Sequence, residues 1–327
     1  MPHAAIVAII AALVLWSPWT AAADEAEEAT VTWSVTPSAA SGPDGRTRID
    51  LSADPGTSVT EHLAVRNLST EDATFSLSAA DGYYTANGRF NMLGASEKSV
   101  DAGTWITVAP SVEVKAGETA VVAFTVDVPQ NATPGDHAAG VAASVVSSGT
   151  TANGTQVGVE SRVGFRVTTR VAGELSPALD VSDLSATYET SWNLLQPGTL
   201  TVAYNAANAG NTTLSVIDSV NAIDTEQGAL LPGEERELRV TDVEAWPLGI
   251  LTVDVVVEGL VPGEDLASAP TTQQMIVWAM PWPHLLCVLA VMLIVFALLM
   301  GRRRNRRRID SLVAQAREDG RREAEVA

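Results

Sequence analysis

Cysteine is nearly missing from this chain of 327 residues: the single one, Cys287, lies inside an apolar run near the C-terminus. The roughly 250 residues before that run therefore hold no disulfide, and their core must be hydrophobic packing alone. Histidine is almost as scarce. Between the terminal apolar runs only His62 and His137 occur, and neither has the spacing of a metal ligand, so no metal and no cofactor is expected. A G-x-S-x-G elbow or an S-x-x-K motif in a fitting context is absent, as is a calcium loop of the EF-hand kind. The carboxylates suit solvated strand faces better than a glycosidase pair. These absences argue against an enzyme. Bases are few as well: residues 24–277 carry 11 against 34 acids, a net charge of −23, which argues against a nucleic-acid partner.

The two ends carry the long apolar runs. Ile6 to Trp16 is unbroken and is followed by Ala21-Ala-Ala23, the form of a secretory leader over 1–23 with cleavage after Ala23. An uncleaved anchor is the alternative. The second run, 275–300, is long enough to cross a bilayer, with Trp278 and Trp282 placed for an interfacial aromatic belt. Arg302, Arg303 and Arg304 open the cluster RRRNRRR, a positive-inside signal, and the tail 301–327 has nine arginines against five acids. The expected localisation is the cell membrane, single-pass, with the bulk outside and the basic tail in the cytoplasm.

Between the ends the chain reads as strand after strand. VTWSVTP, TRIDLSA, VTEHLAVRN, ATFSLSAA and AVVAFTVDVP alternate apolar and polar residues, and Pro-Gly, Ala-Gly and Asn-Gly pairs separate the runs. A second set begins after Gly173-Glu-Leu-Ser-Pro177. Turns at Asp54-Pro-Gly-Thr57, Lys115-Ala-Gly-Glu118, Gln196-Pro-Gly-Thr199 and Leu231-Pro-Gly-Glu234 recur, and Asn67 and Asn208 end strands at corresponding points. The fold class is all-β: two tandem immunoglobulin-like sandwiches, over 24–172 and 173–274, followed by one C-terminal transmembrane helix.

Two stretches stand above this background. DGYYTANGRFNML, from Asp81 to Leu93, centres on Asn87-Gly88, a favoured two-residue hairpin turn. Either Tyr84 pairs with Phe90 across the strands to stabilise a ribbon, or Tyr83, Tyr84, Asn87, Arg89 and Phe90 form a recognition ledge. Asp81 beside a glycine reads as a turn cap rather than a cation ligand. VPQNATPGDHAAGVAASV, from Val128 to Val145, delivers small residues that allow close approach of another sheet.

DPGTSVTEHLAVRNLS, DGYYTANGRF, Gly103-Thr-Trp-Ile106 and VPQNATPGDHAAGVAASV occur in the order seen in WxL-interacting proteins, Gram-positive surface proteins that the chain resembles from about Thr30 to its tail. His137 stands where an aromatic is more usual and Ala139 where a second glycine is, and the Ala- and Arg-rich composition suggests an actinobacterial-type member. The resemblance implies peptidoglycan or another cell-wall component as partner of the first domain, with adhesion to a secreted or surface protein through the second. His137, within PGDHAAGV, is the sixth candidate ligand residue. The competing expectation is an assembly or chaperone-like module that binds another secreted protein by strand addition.

Overall fold

The computed structural model describes residues 31–150 and 156–326. The expected leader lies outside them. The described chain is mostly β, with one helix at its C-terminal end.

The first half is two facing sheets. One runs β2 (Gly42–Pro43), β1 (Trp33–Ala39), β4 (Ser58–Asn67), β9 (Thr119–Asp127), β7 (Ile106–Val108). The other runs β3 (Ile49–Ala53), β11 (Gln156–Val171), β10 (Gly135–Thr150), β5 (Ala73–Tyr84), β6 (Phe90–Met92), with β8 (Ser111–Val114) also on β5. Alternation sets the inner faces: Leu63, Val65, Phe124 and Val126 meet Ile49, Phe75, Val141 and Val167 in one buried cluster with Trp105. The second half pairs β12 (Leu179–Glu189), β13 (Gly198–Asn208) and β16 (Glu235–Ala245) with β15 (Ile223–Leu230), β14 (Leu214–Val220), β17 (Gly249–Leu260) and β18 (Thr271–Ala279). Leu200, Val202, Leu238 and Val240 there face Leu214, Val216, Val253 and Val255. Buried Tyr204 donates its hydroxyl to Asp218 at 2.8 Å.

One corner is built twice. Asn67 is fully buried; its Nδ2 donates to the carbonyls of Glu71 (2.8 Å) and Val114 (3.0 Å), and its Oδ1 accepts from Ser69 N–H at 2.9 Å. Asn208 repeats the set with Thr212 (2.8 Å), Leu230 (3.0 Å) and Gly210 N–H (3.0 Å). Beside each, the backbone N–H of Glu118 or Glu234 closes its turn onto Lys115 or Leu231 at 3.0 Å.

The apolar run 275–300 is corrected by the structure. Met275 to Ala279 belong to β18, with Ala279 opposite Gly249 and Trp278 opposite Ile250. The helix begins at Trp282 and continues to Val326. Pro283 sits in its first turn, where the missing N–H costs nothing, and Leu285 N–H closes onto Pro281 O at 3.0 Å. The segment Trp282–Arg317 is long and apolar enough to cross a membrane, and its apolar part touches no other element closely enough to be buried.

Candidate functional site

The hairpin forms with a different turn from the expected one. Gly82, Tyr83 and Tyr84 pair with Met92, Asn91 and Phe90. Thr85 N–H bonds Arg89 O at 2.9 Å and Gly88 N–H bonds Thr85 O at 2.8 Å, so the loop has three residues, Ala86 to Gly88. Gly88 takes the left-handed conformation (φ 69°) while Asn87 does not, which is a turn closed by a bulge rather than a two-residue turn. Tyr84 and Phe90 meet edge to face, 5.8 Å between ring centres. Phe90 lies over Gly82, where a Cβ would come within 2.5 Å of the ring. Tyr84 gives its oxygen to the Arg166 guanidinium, and the half-exposed Tyr83 accepts from Asn91 Nδ2 at 3.1 Å. Asn87 and Arg89 are exposed.

Beneath the ribbon, the small residues of β10 divide between two faces. Ala139, Val141 and Ala143 point into the core, whereas Ala142 and Gly140 face outward under Met92. A Cβ at Gly140 would come within 2.8 Å of Met92. The second layer that this stretch admits is therefore the chain's own β6. Asp81 at the ribbon's root accepts backbone N–H groups of Val100 (2.6 Å), Asp101 (3.0 Å) and Gly103 (2.7 Å), which makes it a loop cap.

His137 is elsewhere. Its Nδ1 lies 2.8 Å from the Asp101 carboxylate, its Nε2 lies 2.9 Å from Thr133 O, and its ring rests 4.6 Å from that of Trp105. Burial pushes the imidazole down, but the bonds to Asp101 and Thr133 outweigh it and the net shift is upward. The six candidate residues thus do not converge. Phe90 lines a depression beside Arg162 and Phe165, while His137 lines one with Asp101, Asn211 and Pro232.

A seam joins the halves. Buried Asp136 accepts from Arg170 at 2.6 and 3.0 Å, from Thr213 N–H at 2.7 Å and from Thr212 Oγ1 at 3.0 Å. Burial raises this carboxyl, but Arg170 and the Thr213 N–H outweigh it and hold it below the usual range. Beside the seam opens a cleft of about 390 Å³ lined by Arg48, Arg166, Arg170, Asp50, Asp136 and Thr213. Arg48 bonds Asp50 at 2.7 Å, Arg170 reaches Glu264 at 3.2 Å, and the buried Nε of Arg166 has no partner among the described residues. Each guanidinium already faces a carboxylate, Arg166 reaching Asp50 at 3.7 Å, so the cleft is a polar concavity of balanced charge.

Sequence reasoning missed this cleft, although a signal was present. Arg162, Arg166 and Arg170 recur every fourth residue, which on a strand puts all three on one face, about 13 Å apart. Each grips something different: Arg162 the carbonyls of Met92 and Leu93, Arg166 the Tyr84 hydroxyl, Arg170 the seam acid. β11, which carries them, also has a long open edge. It pairs with β10 along its whole length, but with β3 only from Val167 to Val171. From Gln156 to Arg166 the outer edge has no partner among the described residues.

Neither a family model nor a curated protein matches the chain. Solved structures do. The class 5 fimbrial chaperone CfaA is similar over 74% of this chain and 98% of its own, at 12% identity and a TM-score of 0.38. A chain of the Salmonella enterica SafA pilin in complex with the SafB chaperone is similar over 76% and 99%, at 14% identity and 0.36. The chaperone–tip adhesin complex of Csu pili from Acinetobacter baumannii gives 76% and 98%, at 12% identity and 0.36. These neighbours are fimbrial chaperones rather than WxL-interacting proteins, so the resemblance drawn from the sequence is corrected, and peptidoglycan binding falls with it. The motifs behind that resemblance have structural roles: DGYYTANGRF folds onto its own sheet, and PGDHAAGV supplies the seam and the space beneath Met92.

Proposed function

We propose that the chain is a non-enzymatic, membrane-tethered module of two tandem immunoglobulin-like sandwiches, divided near Gly173, that binds a secreted or surface protein by strand addition. The observation that carries this reading is the open edge of β11 from Gln156 to Arg166. An unpaired edge presents a row of backbone donors and acceptors, and a strand laid against it gains main-chain hydrogen bonds. The edge alternates in the way strand addition requires, with Val163 and Phe165 on one face and Arg162 and Arg166 on the other. The cleft lined by Arg48, Arg166 and Arg170 adjoins the end of this edge at Arg166. The helix from Trp282 anchors the module, with the sandwiches outside and the arginine cluster inside.

Amide hydrogen exchange on the full chain in detergent tests the edge. Alternate amides between Gln156 and Arg166 should exchange fast, since only every second N–H of an edge strand points to its neighbour. They should slow when a secreted protein captured by a photo-crosslinker at Ser161 is added back. If all these amides are already protected in the isolated chain, no edge is free and the reading fails.

A further inference from the structure

The end of the second half that adjoins the helix exposes large apolar side chains instead of covering them. Three connections lie there: 190–197 between β12 and β13, 246–248 between β16 and β17, and 280–281 leading into the helix. Register brings them together, because Glu189 pairs with Thr199, Gly198 with Ala245 and Gly249 with Ala279. Trp192 (77% exposed) and Leu195 (86%) come from the first, and Trp246 (50%) and Leu248 (80%) from the second. Hydrogen bonds tie the first to the helix entry: Thr190 Oγ1 donates to Met280 O at 3.2 Å, and His284 Nε2 meets Leu194 O at 3.0 Å.

This end carries little charge: the exposed carboxylates nearest it, Glu189 and Glu244, stand at its rim on either side of Thr199. No Asp, Glu, Lys or Arg occurs in 190–217, 245–253 or 266–300, in an exterior that is otherwise strongly acidic. Polarity changes with height on the outer face of β17 and β18. Trp278 stands opposite Ile250 and Ile276 opposite Thr252, but one step further up Gln274 stands opposite Asp254 and bonds it at 2.7 Å. Trp278 to Ile276, the last apolar residue on this face, is two residues, about 7 Å along a strand. The headgroup layer on one side of a bilayer is about 5–8 Å thick. The apolar zone therefore ends close to where that layer ends. Below Trp282, the twenty residues to Arg302 rise about 30 Å as helix, the thickness of the hydrocarbon core.

We propose that this end is a lipid-seated foot: Trp192, Leu195, Trp246, Leu248 and Trp278 lie in the headgroup zone of the outer leaflet and hold the second half upright on the membrane. Exposed tryptophan and leucine at the loop tips, continuous with a membrane-length helix, match the interfacial belt and not a water-facing surface. The inference rests on the helix being the membrane span. The foot would keep the open edge of β11 at a fixed height above the bilayer.

Full-length protein in phosphatidylcholine proteoliposomes tests both layers separately. The native Cys287, about 8 Å below Trp282 along the helix, takes a fluorescent label that reports the span. In a Cys287→Ser background, Leu195→Cys, Leu248→Cys and Gln274→Cys report the foot and the surface above it; all three side chains are exposed, so the fold tolerates them. Labels at 195 and 248 should be quenched by lipid spin-labelled near the headgroup and be several-fold less open to iodide than the label at 274. If they are as open to iodide as 274 while Cys287 is in lipid, the foot is refuted and the span stands. Shielding from iodide without lipid quenching would mean a protein cover and would also refute it. A Cys287 label open to iodide overturns span and foot together.

Discussion

The two halves are built around the same corner and put to different uses. Asn67 and Asn208 end equivalent strands, bind the same three kinds of backbone group and stand beside the same closed turn. Around that shared frame the first half leaves a long strand edge open, while the second leaves apolar side chains exposed at its base. An open edge offers hydrogen bonds in one direction and suits another strand. An apolar base offers no direction and suits a lipid surface. The comparison teaches that the repeated part is the fold's internal bonding, and the unrepeated parts are where partners would act.

The largest expected effect tests whether the corners really are equivalent. Asn208→Leu leaves two carbonyls and one N–H without partners, and each such buried group costs about 1–3 kcal/mol. The variant should lose about 3–5 kcal/mol, read as loss of amide protection confined to residues 179–277. Asn67→Leu should do the same within 35–171 but cost less, because two of its three bonds are only part-buried where two of those at Asn208 are buried. A silent variant on either side would break the equivalence.

The seam between the halves comes next. Asp136→Ala removes the acceptor that Thr212 and Thr213 reach across the boundary, at an expected cost of about 2–3 kcal/mol. Urea unfolding should then split into two transitions if the halves are otherwise independent. The seam is also sensitive to acid. Because Asp136 is held below the usual carboxylate range, its stabilisation is present above that range and is lost as pH falls through the lowered folded value. Asp136→Ala should abolish that acid step. A variant that still unfolds in one transition with the acid step intact would show that the seam is held by something else.

Legibility followed the patterning. Strands with alternating β-branched residues and strong turn pairs could be read from the sequence, and so could the corner asparagines and Asp81 as a cap. β15 was missed because Asp224, Glu226, Gln227 and Gly228 give it little apolar alternation. β18 was hidden inside the apolar run, since a buried strand flowing into a span has no polar boundary. The open edge of β11 could not be read at all: whether a strand has one neighbour or two is a fact of tertiary pairing. The aromatic ribbon drew attention as a ledge, yet Phe90 and Met92 fill space above Gly82 and Gly140, a packing role that the glycines signalled in retrospect.

The smallest effect sharpens the comparison by pH. The first half holds a titrating imidazole in a fixed network, and the second has no counterpart among its described residues. His137 donates to Asp101 and to Thr133 O when protonated, with Asp136 adding to the attraction from the next residue. A raised folded value means the stabilisation is full below about 6.5, the ordinary histidine value, and is lost as pH climbs through the raised one. Hydrogen bonds to a charged group are worth about 1.5–3 kcal/mol before the cost of burial is subtracted, so a net change of about 1 kcal/mol is expected. Amide protection in 35–171 should fall across that window while protection in 179–277 stays flat, and His137→Gln should flatten the first half as well. If both halves respond alike, the pH effect does not belong to His137.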